Sequence, residues 1–327
     1  MRAVISAIVL TGAAMATAPA AAAPSAAPLA APLAGSSDAA PVLSAAVPDD
    51  TTVTGGAAAA PADDGKADTA KPAPRDWTPL DASRFGAELG EKWIPVPNGS
   101  SGAPRQGWLA TADGFFTREA HLAYDYTDGG TGRANASEVL ARFNYPWTRR
   151  FWTGIEVPFY QRNGRQDGFG DITLSTLVML VESRNLSITA GAGWRLPTGA
   201  TRIGNNVFAA QPQINFWSDV GAGFSLRGRL GYEFATKGRP DDFVLNFAVG
   251  QTVTPHSRAP FGDLTWYVAV NWREPVRGLG YSFVSITPGL RTHLGGNLFL
   301  LGGVEFPVTP TRQSFERRYI VQLVQGF

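Results

Sequence analysis

The stretch Phe315-Glu316-Arg317-Arg318-Tyr319-Ile320-Val321-Gln322-Leu323-Val324-Gln325-Gly326-Phe327 places Phe315, Tyr319, Val321, Leu323 and Phe327 on one side of an extended chain. Successive side chains of a strand point to opposite faces, so this spacing describes a strand with one apolar face. Working back from it, the same alternation recurs in segments of roughly ten residues, the length that crosses a bilayer as a tilted strand. The segments fall at 115–127, 137–146, 151–161, 171–182, 186–197, 206–218, 223–235, 242–254, 263–274, 281–293, 297–307 and 315–327, with Gly, Pro, Asn and Asp between them.

That pattern predicts an all-β fold, a transmembrane antiparallel outer-membrane β-barrel of about twelve strands, lipid-facing and lumen-facing residues interleaved. The terminal Phe327 with its apolar row resembles the signal by which the outer-membrane assembly machinery accepts its clients. A soluble β-sandwich is the competing reading of the strands alone. Against it stands the amino-terminal end, where Arg2 is followed by an apolar run at 3–14 and a small-residue run at 16–23, the layout of a secretory signal peptide.

The chain then divides by composition. Residues 1–22 read as signal peptide, and 23–75, rich in Ala, Pro, Gly, Ser, Thr and Asp without an aromatic, as a disordered linker. Residues 76–114 carry Trp77, Phe85, Trp93 and Trp108, enough apolar surface to dock but not to form a domain, so a plug and a tether are both open. Residues 115–327 form the barrel. Longer connections at 128–136, 162–170, 198–205 and 236–241 read as external loops, and 183–185 and 295–296 as periplasmic turns. The stretch 255–262 is long for a periplasmic turn.

Bulk properties exclude several classes. No run of the mature chain reaches the roughly 18 uncharged apolar residues of a spanning helix. A net charge of +1 argues against nucleic acid as a partner. The absence of cysteine removes disulfides, thiolate metal sites and a lipoprotein anchor.

A weak hairpin repeat sets the register. Gly-x-(Glu/Arg)-x-Pro occurs at 154–158, 193–197 and 303–307, with looser versions around Asp125, Glu233 and Arg273. Tyr124, Ile155, Trp194, Tyr232, Trp272 and Val304 form an outward row, as interfacial aromatics do. Asp125, Glu156, Arg195, Glu233, Arg273 and Glu305 must then point inward, as a rim near the external end whose signs alternate from Glu156 onward. The rim is either a neutralising network that stiffens the wall or a constriction that screens solutes. Other inward residues are Glu119, His121, Arg142, Gln211, Gln213, Asn215, Arg227, Arg229, Asn246, Arg291, His293 and Arg318, with Phe299 and Leu301 adding an apolar stretch. Both signs occur, so no clean ion preference follows.

Gly168-Phe169-Gly170-Asp171-Ile172-Thr173-Leu174 and Arg195-Leu196-Pro197-Thr198-Gly199 resemble the outer-membrane transporters associated with the meta-cleavage (MetA) pathway of phenol degradation, over about 140–327. The resemblance implies a barrel that admits small, often aromatic or hydrophobic compounds. It carries over no binding residue. Physically, Gly168 and Gly170 let an external loop turn into a strand, and Pro197 ends pairing at the rim.

The expected role is an outer-membrane channel for small solutes, with solute, outer-membrane lipid and the assembly machinery as partners and no cofactor. The alternatives are a structural or adhesive barrel with a closed lumen and an outer-membrane lipid hydrolase. Only His121, His256 and His293 could supply an imidazole. None is placed to face lipid, and neither a Gly-x-Ser-x-Gly elbow nor a His-Glu-x-x-His metal motif is present, so no catalytic or metal-ligating residue is assigned.

Overall fold

The structure, a computed structural model, describes residues 77–130, 134–164, 166–236, 241–276, 282–309 and 315–327. The expected signal peptide and linker lie outside the described residues.

Thirteen strands follow: β1 (Glu119–Asp128), β2 (Ala136–Pro146), β3 (Phe151–Asn163), β4 (Gln166–Gly168), β5 (Thr173–Glu182), β6 (Leu186–Arg195), β7 (Ala209–Gly221), β8 (Phe224–Ala235), β9 (Asp242–Thr252), β10 (Gly262–Pro275), β11 (Phe283–Gly295), β12 (Leu298–Pro307) and β13 (Arg317–Gly326). Twelve are long. Each pairs antiparallel with its neighbours, and β1 pairs with β13, so the sheet closes into a barrel without a free edge. β4 pairs only with the end of β3. It turns the expected 162–170 loop into a hairpin extension, too short for alternation to reveal.

Side-chain alternation is inverted relative to a soluble protein. Leu122, Tyr124, Trp194, Leu230, Trp272, Leu290 and Tyr319 are exposed, whereas His121, Arg227, Thr287 and Arg291 are buried. With lipid outside, an apolar exterior and a polar interior are the stable arrangement.

The first strand begins at Glu119 rather than 115. Phe115 and Phe116 leave the sheet because aromatic partners wait inside: Phe115 meets Trp217 edge-on at 6.3 Å, and Phe116 stacks with Trp152 at 6.1 Å. They end a segment, 77–118, that packs against the inward side chains of the barrel. A 3-10 turn at Ala82–Arg84, capped by the Asp81 side chain on the Ser83 N–H, runs into a one-turn helix at Phe85–Glu88. The Ser83 side chain, the largest cause, and then this backbone N–H hold the Asp81 carboxyl below its usual range. Among the described residues no helix is long and apolar enough to cross a membrane.

Candidate functional site: the barrel lumen

The lumen has two halves of different character. One lies at the end with the short turns, where β13 finishes; the other lies toward the long connections.

In the short-turn half, segment 77–118 occupies the interior. Trp108 stacks flat on Tyr267 at 4.9 Å, and the Leu109 N–H donates to the Tyr267 hydroxyl at 3.0 Å. The Asn246 amide accepts from the Ala112 N–H at 3.0 Å and donates to the Ala110 carbonyl at 2.7 Å, acting as a backbone partner that the segment lacks. Arg227 is fully buried, lies 3.6 Å from the Trp108 ring centre, and donates to the Gln106 carbonyl at 2.6 Å and to Asp113 at 2.9 Å. Arg291 donates to the Gly107 carbonyl at 2.9 Å and lies over Phe299. A buried guanidinium is costly unless its donors are met; here the segment supplies acceptors to one Nη of each arginine, while Arg227 Nε and Nη2 and Arg291 Nε meet none among the described residues.

Nearer the mouth the segment is tied to turns. Leu80 and Glu182 exchange backbone hydrogen bonds at 2.7 and 3.0 Å. Arg150, fully buried, donates to Glu88 and to the carbonyls of Asp81, Met179 and Leu180. Arg149 bridges Glu91 and Glu182. Arg105 donates to the carbonyls of Pro97 and Ser183 and lies 4.3 Å over Trp217. Burial pulls its guanidinium down to about 10, while Glu182 and Asp219 pull upward, so it stays charged at neutral pH.

These contacts change what several expected lumen residues do. Arg227 and Arg291 point inward as expected but bind the segment rather than line an open path. Glu119 and His121 are buried together at 3.3 Å, with Asn144 and Gln322 on the imidazole. His293 stacks on His256 at 4.1 Å, and both of its nitrogens meet backbone carbonyls. His256 sits in the long turn as expected, paired with Asp263 at 2.6 Å.

In the other half the expected rim residues all point inward, but they do not form one even ring. Arg195 on β6 reaches across β7, where its opposite residue is only Ala209, to pair with Glu233 on β8 at 2.9 Å. Arg273 on β10 also touches Glu233, at 3.4 Å, and pairs with Asp242 at 2.9 Å. Arg142 pairs with Glu156 across β2 and β3 at 2.8 Å, and Arg318 with Glu305 across β12 and β13 at 3.1 Å. Asp125 makes no ion pair among the described residues, and one of its oxygens is buried without a partner. The reason is local: the residue opposite it on β2 is Glu138.

Two cavities open here. One, of about 360 Å³, is lined by Asp125, Glu138, Gln161, Arg162, Ile203 and Arg318 among others. The other, of about 210 Å³, is lined by Glu156, Thr173, Ser175, Gln211, Gln213, Arg229, Arg195 and Glu233 among others.

The Gly-x-Gly-Asp and Leu-Pro-Thr-Gly motifs meet in space. Asp171 accepts from the N–H groups of Gly199 at 2.9 Å and Asn205 at 2.7 Å, and Thr198 accepts from the Ile172 N–H at 2.9 Å. The motif is a clasp that folds the β6–β7 connection back so that Ile203 reaches the larger cavity.

Sequence reasoning missed Tyr267, Trp217, Arg149, Arg150, Asp113, Asp171 and Asp242 as site residues. Strand parity could have found the inward Tyr267 and Trp217, which share the phase of Ala269 and Asn215. Nothing local marks Arg149 and Arg150, because their partners are 29 to 71 residues away.

A crystal structure of an outer membrane channel from Pseudomonas putida F1 is similar to this chain, with a TM-score of 0.53 at 10% identity, covering 68% of this chain and 99% of the other. The NanC porin structure gives 0.49 at 10% identity, covering 64% and 99%, and the KdgM porin 0.46 at 14%, covering 64% and 99%. The likeness to the Pseudomonas putida channel concerns the fold alone. No curated protein matches. A family model matches residues 96–317, which extends the resemblance read from the motifs back into the segment inside the barrel. The chain belongs to the family described as "Putative MetA-pathway of phenol degradation".

Proposed function

We propose that the chain is an outer-membrane channel that passively admits small solutes, with residues 77–118 as a plug in the periplasmic half of the lumen. The observation that carries this reading is the division of the interior. Polar cavities of about 360 and 210 Å³ stand in the half toward the long connections, and the other half is filled by the segment through Trp108, Arg227 and Asn246. A wall of mixed charge passes polar solutes without strong ion selectivity. The family description favours small aromatic compounds as the cargo. No catalytic residue and no cofactor are assigned.

The test is solute-driven swelling of proteoliposomes and conductance in planar bilayers, for the full chain and for a chain lacking residues 24–113. Swelling or discrete openings that increase on deletion support the channel and its plug. If neither form conducts or swells liposomes, the channel reading falls and a structural barrel with a closed lumen replaces it, a reading that the filled short-turn half favours. Phe327, half-exposed and stacked on Phe143 at 5.4 Å, is proposed as the contact read by the assembly machinery, so Phe327→Ala should lower the amount of folded barrel recovered from outer membranes.

A further inference from the structure

The smaller cavity is lined by two cations, Arg195 and Arg229, and two carboxylates, Glu156 and Glu233, but both carboxylates are engaged by other arginines, Arg142 and Arg273 among them. Arg142 is taken by Glu156, and Arg195 and Arg273 share Glu233 and Asp242. Arg229 remains. Its one described partner is the Gln213 amide oxygen at 3.4 Å, and its Nε is buried with no acceptor.

The strand register explains why no acid reaches it. The residues opposite Arg229 are Asn215 on β7 and Asn246 on β9, and the Asn246 amide is already committed to Ala110, Ala112 and Asn271. Arg229 therefore stands at the floor of the cavity, directly above the segment. Arg229 is partly exposed to the cavity, so an anion arriving from solution can reach its guanidinium and supply the counterion that the wall does not.

We propose that Arg229 anchors a carboxylate-binding subsite in the lumen that takes small monocarboxylates, aromatic acids included. The planar guanidinium presents paired N–H donors that match a carboxylate. The hydroxyls of Thr173 and Ser175 and the amides of Gln211 and Gln213 line the same cavity and can hydrogen-bond the bound anion. Halfway round the twelve-strand ring from β8, Asp125 on β1 and Glu138 on β2 make no ion pair among the described residues, although Arg162 and Arg318, the latter taken by Glu305, line the same cavity. A second anionic group would meet those two carboxylates, so the subsite favours one carboxylate over two. The proposal deepens the channel reading by naming a class of solute.

The test uses the purified full chain in detergent, titrated with benzoate, with benzyl alcohol as its neutral counterpart and phthalate as the dianion, followed by calorimetry. Benzoate should bind, and benzyl alcohol and phthalate more weakly. Arg229→Gln should weaken benzoate binding by about tenfold or more, as loss of a charge-assisted hydrogen bond does, and Arg229→Lys by less. Circular dichroism and heat-dependent gel mobility verify that the variants fold. Benzoate binding that is absent, or equal in wild type and folded Arg229→Gln, overturns the subsite. Liposome swelling by a neutral sugar separates the two readings: swelling without benzoate binding removes the subsite and keeps the channel, whereas binding without swelling does the reverse.

Discussion

Trp108 lies on Tyr267 with ring centres 4.9 Å apart and planes within 3°, and the barrel wall makes room for the stack by placing glycine on both sides of Tyr267. Its cross-strand partners are Gly250 on β9 and Gly289 on β11. A Cβ at Gly250 would come within 2.6 Å of the Trp108 ring, and one at Gly289 within 2.4 Å of the Tyr267 ring. Stacked aromatic pairs contribute about 0.5–1.5 kcal/mol beyond burial, and here the stack also positions the hydroxyl that receives the Leu109 N–H.

Trp108→Ala should therefore loosen the segment, at a cost of about 3–5 kcal/mol as for other buried tryptophans, with the barrel left intact. The expected result is faster proteolysis within residues 77–118 and greater conductance. Gly289→Ala should act in the same direction by displacing Tyr267. Unchanged protease protection in both variants would show that the stack does not hold the segment.

Arg150 and Glu88, at 0% and 2% exposure, form a second anchor. Removing one partner of a buried pair costs about 3–5 kcal/mol. Arg150 also donates to three carbonyls, of Asp81, Met179 and Leu180, so Arg150→Met should destabilise more than Glu88→Gln. Protease protection of the segment and the Tm of the barrel, measured for both variants, check the order.

Glu233 joins Arg195 to Arg273. Glu233→Gln leaves these arginines with only Asp242 between them, raising the net charge of this wall by one. The reversal potential in a salt gradient should shift toward anion selectivity if solutes pass here. An unchanged potential with a lowered Tm would assign the cluster to wall stability instead.

Asp171 holds two backbone N–H groups of the β6–β7 connection. Asp171→Ala leaves both donors without that carboxylate, a loss of about 1–3 kcal/mol each if they stay buried. Protease sensitivity within 198–206 should rise while the barrel Tm changes little, and solute passage through the larger cavity should change as Ile203 loses its position.

The register was legible in the sequence because a strand of period two leaves no freedom once one face is lipid. Tyr124 outward and Asp125 inward follow from each other, as do Trp194 and Arg195, and Trp272 and Arg273. Heights along the lumen were less legible. Arg227 and Arg229 share a parity, yet among the described residues one meets Asp113 and Gln106 while the other meets Gln213. Two residues along one strand separate the covered floor from the open cavity.

Alternation, turn chemistry and the row ending at Phe327 are local properties, and they sufficed for a twelve-strand barrel with a polar interior, because hydrogen-bond closure in lipid admits few other solutions. What lies within that interior is set by contacts between residues far apart in the chain. Trp108 finds Tyr267 across 159 positions and Asp113 finds Arg227 across 114, and alternation, which reports only the side a residue faces, carries no record of such partners. The terminal strand that reveals the fold thus says nothing of the segment inside it; the tertiary structure decides that the segment fills one half of the lumen, and that Arg229 has no counterion among the described residues.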